Sequence, residues 1–304
     1  MTNVSLLKIE RDDLPALYHT ATEASGRAQG KLLFFTKLNI ILLSVGALTS
    51  GFSIANIGIQ YFHSVLSFIS AITLLISIFI TFYLERSEFE KKWYEGRAIA
   101  ESVKTIAWRF MMNTDPYRLG IVEAEKKFLV DLDAIRKERR SFAELLGGEH
   151  SIKPQITEVM RKLRNYNVEQ RVLVYIENRI KGQKNWYSVN SSKNREKSEH
   201  FFLVVLVLQC VATIIAFSFV IFPDLIFNPT GIFTTIIAGI LGWTQLKQYK
   251  TLAESYGLTT QELGTIEERG KRIKKNDEFS SFVIESETAI SREHTVWLAR
   301  RVNM

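Results

Sequence analysis

Two long stretches of the chain are almost wholly apolar or uncharged and contain no basic side chain. They run over Leu38–Leu84 and Phe201–Leu246, and all 39 lysines and arginines lie outside them. Asp224 is the one acid of 32 that falls inside. A Lys, Arg or Asp at the centre of a bilayer costs about 2.5–3.5 kcal/mol, whereas a soluble core has no reason to exclude charge over such lengths. Both stretches are therefore predicted to be membrane windows.

Each window is long enough for two membrane crossings joined by a short return. A bilayer core of about 30 Å requires roughly 20 helical residues. Polar residues around Ser53–His63 divide the first window, and turn-forming residues from Pro223 to Pro229 divide the second. The predicted spans are residues 32–52, 64–84, 201–222 and 231–246. We expect an all-α membrane protein with four transmembrane helices, arranged as two helical hairpins with long cytoplasmic helices.

The basic residues also predict an orientation. Neither predicted return loop contains Lys or Arg, so all of them lie on the opposite side of the spans. Lys37 is near the start of the first span, where its side chain can reach the head groups. The positive-inside rule then places both termini and the central region in the cytoplasm. The net charge of +7 reflects this topology and attraction to anionic lipid. No nucleic-acid-binding motif accompanies it, and nucleic acid is not an expected partner.

Outside the windows the chain is predicted to be helical, because strand-like alternation is absent and only five prolines occur. Helices are predicted over Arg86–Met112 and Tyr117–Leu146. Asn167 and Gln170 form a variant capping box at the start of a long helix that runs into the third span. Two further helices fill the C-terminal segment and separate near Gly270–Asn276.

Both halves of the chain follow the same order of helix, two spans and helix, which predicts a duplication with pseudo-symmetry. The predicted division is residues 1–115 for the first two-span unit, 116–165 for a cytoplasmic helical connector and 166–304 for the second two-span unit. The single Cys210 lies inside the third span, so a disulfide framework and a Cys-based zinc site are excluded within the chain.

Small and polar side chains recur at helical spacing within the predicted spans. Small residues four positions apart share a helix face and permit close approach of a second helix. Two interpretations stay open, namely packing with interhelical hydrogen bonds inside one bundle, or an oligomer interface around a pore. No span carries an internal pair of acid and base, which argues against active transport. The positions are Asn39, Gly46, Ser50, Gln209, Gly231, Thr235 and Gly239.

A second group combines aromatic rings with arginines at or beyond the cytoplasmic end of the second span. One interpretation is interfacial anchoring and helix packing. The other is a contact site for a signal or a partner, in which a nucleotide base stacks on the rings and guanidinium groups bind its phosphate. The residues are Trp93, Tyr94, Arg97, Trp108 and Arg109.

The same segment carries a resemblance to a known family. Trp93-Tyr94-Glu95-Gly96-Arg97-Ala98 and Ala107-Trp108-Arg109 resemble the signature of bacterial DUF4231-type proteins. These belong to the SLATT group, the SMODS and SLOG-associating two-transmembrane effector domains. Before the third span Tyr175, Arg179, Gln183 and Trp186-Tyr187 agree with the same pattern. The likeness covers most of the chain, in a tandem form of two units.

Near the C-terminus, six residues look like the closing motif of that family, whose role is unknown: Glu287, Ser291, Arg292, Glu293, His294 and Trp297. On a helix Glu287, Ser291 and His294 share one face. A catalytic or metal cluster is one interpretation, and a hydrogen-bond network between helices is the favoured one. No motif of a phosphate-binding loop, a zinc protease or a nucleophile elbow occurs. We therefore expect no enzyme activity, no metal and no cofactor.

The resemblance implies a membrane effector of a bacterial conflict system, located in the inner membrane as a multi-pass protein. Such proteins are proposed to permeabilise the membrane and kill an infected cell. The expected partners are the lipid bilayer, further copies of the chain, and a sensor protein or cyclic nucleotide that supplies the signal. The main alternative is a membrane scaffold or regulatory protein that docks partners on its cytoplasmic helices without forming a pore, and a constitutive channel is the third.

Overall fold

The computed structural model describes residues 7–54, 60–138, 149–222 and 227–302. Every regular element in these ranges is helical, which confirms the predicted all-α fold. A π-helical turn, Ile176–Ile180, joins the helix Val168–Tyr175 to the helix Lys181–Ile221 without a break. The α-helices are α1 (Ala16–Ile54), α2 (Gln60–Ser87), α3 (Phe89–Met111), α4 (Ile121–Glu138), α5 (Glu158–Arg164), α6 (Val168–Tyr175), α7 (Lys181–Ile221), α8 (Thr230–Lys247), α9 (Tyr249–Gly270) and α10 (Asn276–Val302).

Three of the described helical runs are long and apolar enough to cross a membrane. They are Ala16–Phe52, Tyr61–Met111 and Val168–Ile221, and they contain the first three predicted spans. The chain is therefore a membrane protein. Helix α8 covers the position of the fourth predicted span, but it is only 18 residues long with polar residues at both ends, and it is not among these three.

Two observed helix boundaries differ from the predicted ones. The predicted helix Arg86–Met112 is divided, because Glu88 has a φ of 47° and separates α2 from α3. A break of one residue leaves no polar gap in the sequence, so the hydrophobic pattern does not reveal it. The capping box is present as predicted: Asn167 Oδ1 accepts from Gln170 N (2.9 Å), and Gln170 Oε1 accepts from Asn167 N (3.3 Å). The helical run that it opens continues into the third apolar segment, as predicted.

The predicted helix Tyr117–Leu146 begins later than expected, at Ile121. Tyr117 N donates to the carbonyl of Thr114, and this turn holds the chain before the helix starts. The predicted end of that helix at Gly147-Gly148 lies outside the described residues. So do residues 55–59 and 223–226, which belong to the two predicted return loops. The predicted separation of the last two helices is confirmed, since α9 ends at Gly270 and α10 begins at Asn276.

The chain divides into two compact units, each built from separate segments. The first, which we name the hydrophilic unit, consists of Met1–Gln29, Glu90–Ser191 and Glu254–Met304. The second, the apolar unit, consists of Gly30–Phe89 and Ser192–Ala253. The ranges of the apolar unit include both windows that lack Lys and Arg, whereas the hydrophilic unit contains the amphipathic helices.

Within the apolar unit, α1 and α2 are joined by polar contacts along their length. Asn39 Nδ2 donates to Thr81 Oγ1 (3.1 Å), and Ser77 Oγ donates to Asn39 Oδ1 (2.5 Å). Further along, Ser70 Oγ donates to the carbonyl of Gly46 (3.0 Å). Because later positions of α1 meet earlier positions of α2, the two helices run antiparallel. Such bonds between polar side chains contribute modestly to helix association in a bilayer.

Helix α8 packs against α1 in the same unit. A methyl group added at Gly239 would lie 2.7 Å from Ile40 Cγ2, so only a glycine permits this approach without a shift. Phe52 stacks on Phe227 with ring centroids 4.5 Å apart, just before α8 begins. The first and the second pair of apolar helices are therefore in contact through α1 and α8.

The duplication extends to individual side chains. Glu88 between α2 and α3 and Gln248 between α8 and α9 have φ values of 47° and 49°, and an aromatic residue follows each. In both repeats an aromatic ring of the first helix of the repeat, α1 or α7, stacks on that residue, with centroids 6.5 and 5.6 Å apart. A lysine one turn earlier places Nζ 5.8 or 5.7 Å from its centroid. The trios are Lys31, Phe35 and Phe89, and Lys197, Phe201 and Tyr249.

Candidate functional site

The most deeply buried charges of the hydrophilic unit form one ion pair. Arg179 and Glu287 each expose 1% of their side chain, although they lie far apart in sequence. Arg179 Nε donates to Glu287 Oε1 (2.8 Å), and Nη2 donates to Oε2 (2.7 Å). Two parallel bonds between a planar guanidinium and a carboxylate are strong and directional. The pair therefore fixes the position of α10 on the helical run that contains Arg179.

The carboxylate of Glu287 accepts two further hydrogen bonds. Tyr175 Oη donates to Oε1 (3.0 Å), and Thr105 Oγ1 donates to Oε2 (3.0 Å). Each carboxylate oxygen thus has two donors, which is the degree of satisfaction that a buried charge requires. These bonds join α3, α6 and the π-helical turn to α10.

Gln183 extends the network to a second cation. With its amide oxygen directed at the cations, it accepts from Arg179 Nη1 (2.7 Å) and Lys104 Nζ (3.1 Å). Burial, and then the repulsion of Arg179, lowers the pKa of Lys104 below its ordinary value. Burial alone would lower the pKa of Arg179 as well, but the charge and hydrogen bonds of Glu287 outweigh it and raise that pKa. Arg179 therefore remains charged in the folded protein.

An aromatic shell excludes water from this network. Tyr175 is fully buried, and its ring meets Trp108, Phe279 and Phe282 edge to face, with centroids 5.7, 6.2 and 6.0 Å away. Burial and the charge of Glu287 raise the pKa of Tyr175 well above its ordinary value. Its hydroxyl therefore remains a donor over the physiological pH range.

The π-helical turn sets the register of these side chains. A π-helical turn holds more residues than an α-helical turn, and such turns are rare and frequent at functional sites. Residues 174 and 175, just before the turn, and residues 176, 179 and 180, within it, are buried. Tyr175 and Arg179 both reach Glu287 Oε1 from this part of the chain. No residue type is specific to a π turn, so this turn was not predictable from the sequence.

Two more arginines are buried and were missed by the sequence analysis, because an arginine on an amphipathic helix usually faces solvent. Arg164 donates to the carbonyls of Phe110 (3.1 Å) and Leu119 (2.7 Å), and Arg171 donates to the carbonyl of Met112. These carbonyls lie at the end of α3 and in the following turn, where the last helical carbonyls lack helical donors. Burial lowers the pKa of Arg164 to about 10.

The predicted aromatic and arginine residues do not form one site. Trp108 is 3% exposed and belongs to the aromatic shell, whereas Trp93 stacks on Tyr94 with centroids 4.6 Å apart. Arg109 donates from Nε and Nη2 to a main-chain carbonyl in the turn after α3 (3.0 and 2.6 Å). Arg97 lies 12 positions before Arg109 on α3, which corresponds to about 18 Å along the axis. Trp93, Arg97 and Arg109 are partly exposed, whereas Tyr94 and Trp108 are buried.

The closing motif contributes one residue to the network. Glu287 receives its four hydrogen bonds from α3, α6 and the π turn, and Ser291 Oγ donates to the carbonyl of Thr288 (3.1 Å). The side chains of Arg292, Glu293, His294 and Trp297 lie outside the described residues, although α10 continues through them. Among the described residues, no three His, Cys, Asp or Glu side chains are close enough to hold a metal ion.

The predicted span residues separate into two groups. Asn39, Gly46 and Gly239 contact a neighbouring helix of the same chain. Ser50, Gln209 and Gly231 are exposed on the surface of the apolar unit. Thr235 Oγ1 donates to the carbonyl of Gly231 on its own helix (2.9 Å). The first group accounts for packing within the bundle, and the second is available to lipid or another chain.

Three apolar helices long enough to cross a membrane, together with a unit of amphipathic helices, define the class as all-α membrane proteins. The family model of SMODS and SLOG-associating 2TM effector domain 3 matches residues 15–172. The model of effector domain 1 of the same series matches residues 175–297. The chain belongs to the SLATT family in its two-unit form, which confirms the resemblance seen in the sequence. No curated protein and no solved structure matches the chain significantly.

Proposed function

We propose that this protein is a bacterial membrane effector of a conflict or defence system, which oligomerises and permeabilises the inner membrane when a cytosolic signal arrives. Membership of an effector family supports the role, and three long apolar helices support the membrane location. In this proposal four spans form two hairpins, both termini are cytoplasmic, and the protein is not an enzyme.

The make-up of the hydrophilic unit supports four spans. Its three segments precede, separate and follow the two segments of the apolar unit. They are joined by the buried pair of Arg179 with Glu287 and by the part-buried bond from Leu17 N to Gln155 (3.1 Å). Segments joined in this way lie on one side of a bilayer, since a bilayer core of about 30 Å would otherwise separate them. Each apolar segment then crosses an even number of times. The second contains the apolar part of α7, so α8 supplies the return crossing.

The exposed surface of α7 supports assembly of several copies, and Gln209 is the observation that carries this part. Its amide is exposed within the third predicted span, next to exposed Leu206 and Val207. In lipid, amide groups that face the acyl chains lose their hydrogen bonds to water. A second copy can supply a partner, because glutamine side chains bond across membrane helices.

The buried network supports a route from the cytosol to the spans. Arg179 lies in the helical run Val168–Ile221, which includes most of the third predicted span. Thr105 lies in the helical run Tyr61–Met111, which includes the second predicted span. Both side chains bind Glu287 of α10. A ligand or sensor protein that displaces α10 would therefore act on both runs. Trp93 and Arg97 are our proposed contacts for that sensor or for a cyclic nucleotide.

Dye entry into cells tests the pore. The full chain is induced in bacteria together with its neighbouring genes, and a membrane-impermeant dye and the membrane potential are followed. We expect dye entry with the natural chain and a loss of most of it with Gln209→Leu at equal membrane levels. Leu206→Met is the matched control, because Leu206 is exposed one turn earlier on the same face of α7. Intact potential and unchanged growth under full expression of the natural chain would contradict a pore.

Cross-linking tests the assembly separately. Cys210 follows Gln209, is exposed and is the single cysteine. We expect a membrane-permeant oxidant to produce covalent dimers in membranes, and none with Cys210→Ser. If dimers are absent and Gln209→Leu changes nothing, the rival function is favoured, namely a scaffold that docks partners on the hydrophilic unit.

A further inference from the structure

A cavity of about 390 Å³ opens between α7, α8 and α9, at the end of the second charge-free window. One part of its wall is apolar and belongs to the window: Phe201, Phe202, Val205 and Leu241. The other part is polar and lies just beyond the window: Ser198, Gln248, Lys250 and Thr251. The cavity therefore joins the level of the acyl chains to that of the head groups.

Three lysines gather at the polar end of this cavity. Lys250 lines it, while Lys197 and Lys247 place Nζ 5.7 and 6.0 Å from the ring centroid of Tyr249, which also lines it. Within the described part of the chain, neither Lys197 nor Lys247 is at ion-pairing distance from a carboxylate. Burial, and then the charge of Lys197, lowers the pKa of Lys247. The cluster therefore attracts an anion that can enter a partly apolar cavity.

The first repeat shows that the fold does not require this cluster. It has the same stacked rings and the same first lysine, Lys31. Glu88 and Gln248, which have positive φ values, occupy equivalent positions in the two repeats. Counted from them, the positions of Lys247 and Lys250 correspond to Ser87 and Glu90. The first repeat therefore has the stacked rings and the first lysine but no cation at the positions of Lys247 and Lys250.

We propose that the cavity binds one anionic phospholipid, with its phosphate among Lys197, Lys247 and Lys250 and an acyl chain along Phe202 and Leu241. Ammonium groups donate up to three hydrogen bonds each to phosphate oxygens, and basic pockets between membrane helices bind anionic head groups. The apolar wall distinguishes a lipid from free phosphate, which has no group to place there. This site does not depend on pore formation.

Lipid titration of the purified full chain in detergent tests the site, with native mass spectrometry counting bound lipid. The probes are phosphatidylglycerol, phosphatidylcholine and inorganic phosphate. We expect one phosphatidylglycerol to bind more tightly than phosphatidylcholine, and inorganic phosphate at millimolar concentration not to displace it. The pair Lys197→Gln with Lys247→Gln should weaken phosphatidylglycerol binding roughly 25-fold. The matched pair Lys31→Gln with Lys37→Gln, which removes the same charge from the first repeat, should change it less than twofold.

A second variant guards against an effect of charge alone. Leu241→Trp fills the apolar part of the cavity and leaves all lysines in place, so it should also weaken phosphatidylglycerol binding. Equal losses in both lysine pairs would show diffuse surface attraction and overturn the proposal. Equal binding of the two lipids, displacement by inorganic phosphate, or full binding by Leu241→Trp would overturn it as well.

Discussion

At the scale of single residues, the buried carboxylate of Glu287 accepts hydrogen bonds from several buried polar side chains. Its carboxylate accepts from Arg179, Tyr175 and Thr105. We expect Glu287→Gln to lower the free energy of unfolding by about 3–5 kcal/mol, because the Arg179 charge would stay buried without its counter-charge. The melting temperature of the full chain in detergent, followed by circular dichroism, measures this.

The matched control lies two positions earlier on the same helix. Glu285 pairs with Arg269 (2.8 Å), and both side chains are more than half exposed. Glu285→Gln should therefore cost only about 0–1 kcal/mol. Replacing both members of the buried pair, with Arg179→Met and Glu287→Leu, should recover part of the stability because no charge then remains buried. Equal melting of Glu287→Gln and the natural chain would contradict the assigned role.

Lys104 gives the network a dependence on pH. Its pKa is lowered from 10.5 in the folded protein by burial and by Arg179, so the unfolded chain binds the proton more tightly. Stability contributed by this group should rise with pH between the lowered pKa and 10.5, since the unfolded state binds more protons there. We expect Lys104→Met to melt higher than the natural chain at neutral pH, with the difference shrinking toward pH 10.5. Lys274→Met, at an exposed position, should show no such trend.

The residues of the network were only partly predictable. The resemblance marked Arg179, Tyr175 and Glu287, but composition and spacing gave no reason to pair an arginine with a glutamate 108 positions away. Whether a charged side chain is buried depends on which other helices pack against it. The sequence of one amphipathic helix does not show which helices these are. Arg164 and Arg171 were missed for the same reason, because their partners are main-chain carbonyls that any sequence provides.

At the scale of helices, the charge-free windows located three long apolar helices because exclusion of charge is a direct requirement of lipid. The capping box at Asn167 was also predictable from the sequence, since its hydrogen bonds join residues three positions apart. The break at Glu88 and the π turn at Ile176–Ile180 were not. Both change the backbone over a few residues without changing the hydrophobic pattern, and tertiary contacts select them.

The contact between α1 and α8 yields a prediction about helix packing. Gly239→Ala should destabilise the apolar unit by about 1–3 kcal/mol, because the new methyl group meets Ile40 Cγ2 at 2.7 Å. Ile40→Ala removes that atom, so the double variant should recover part of the loss. Gly242→Ala is the control: nothing lies within 4 Å of its added methyl group, and alanine favours a helix by roughly 0.5–1 kcal/mol. The melting temperatures of the natural chain and of these variants in detergent measure the effects. Equal effects at Gly239 and Gly242 would contradict the contact.

At the scale of the whole molecule, the sequence predicted the duplication from the order of elements alone. The structure adds its detail, with matching junction residues and stacked rings in both repeats. The assembly of the hydrophilic unit from three distant segments was not predictable, since linear divisions of a sequence separate segments that the fold brings together. That assembly constrains the topology more strongly than the hydropathy of α8 does.

The topology is therefore the prediction that tests the whole molecule. With four crossings, reporters fused to the N-terminus and the C-terminus are both cytoplasmic, whereas three crossings would place them on opposite sides. We expect a C-terminal green fluorescent protein to fluoresce and a C-terminal alkaline phosphatase to be inactive. The control is a chain truncated after Phe222, before α8, whose phosphatase fusion should be active because the return crossing is missing. An active phosphatase at the C-terminus of the full chain would show that α8 does not cross, and the three segments of the hydrophilic unit could not then lie together.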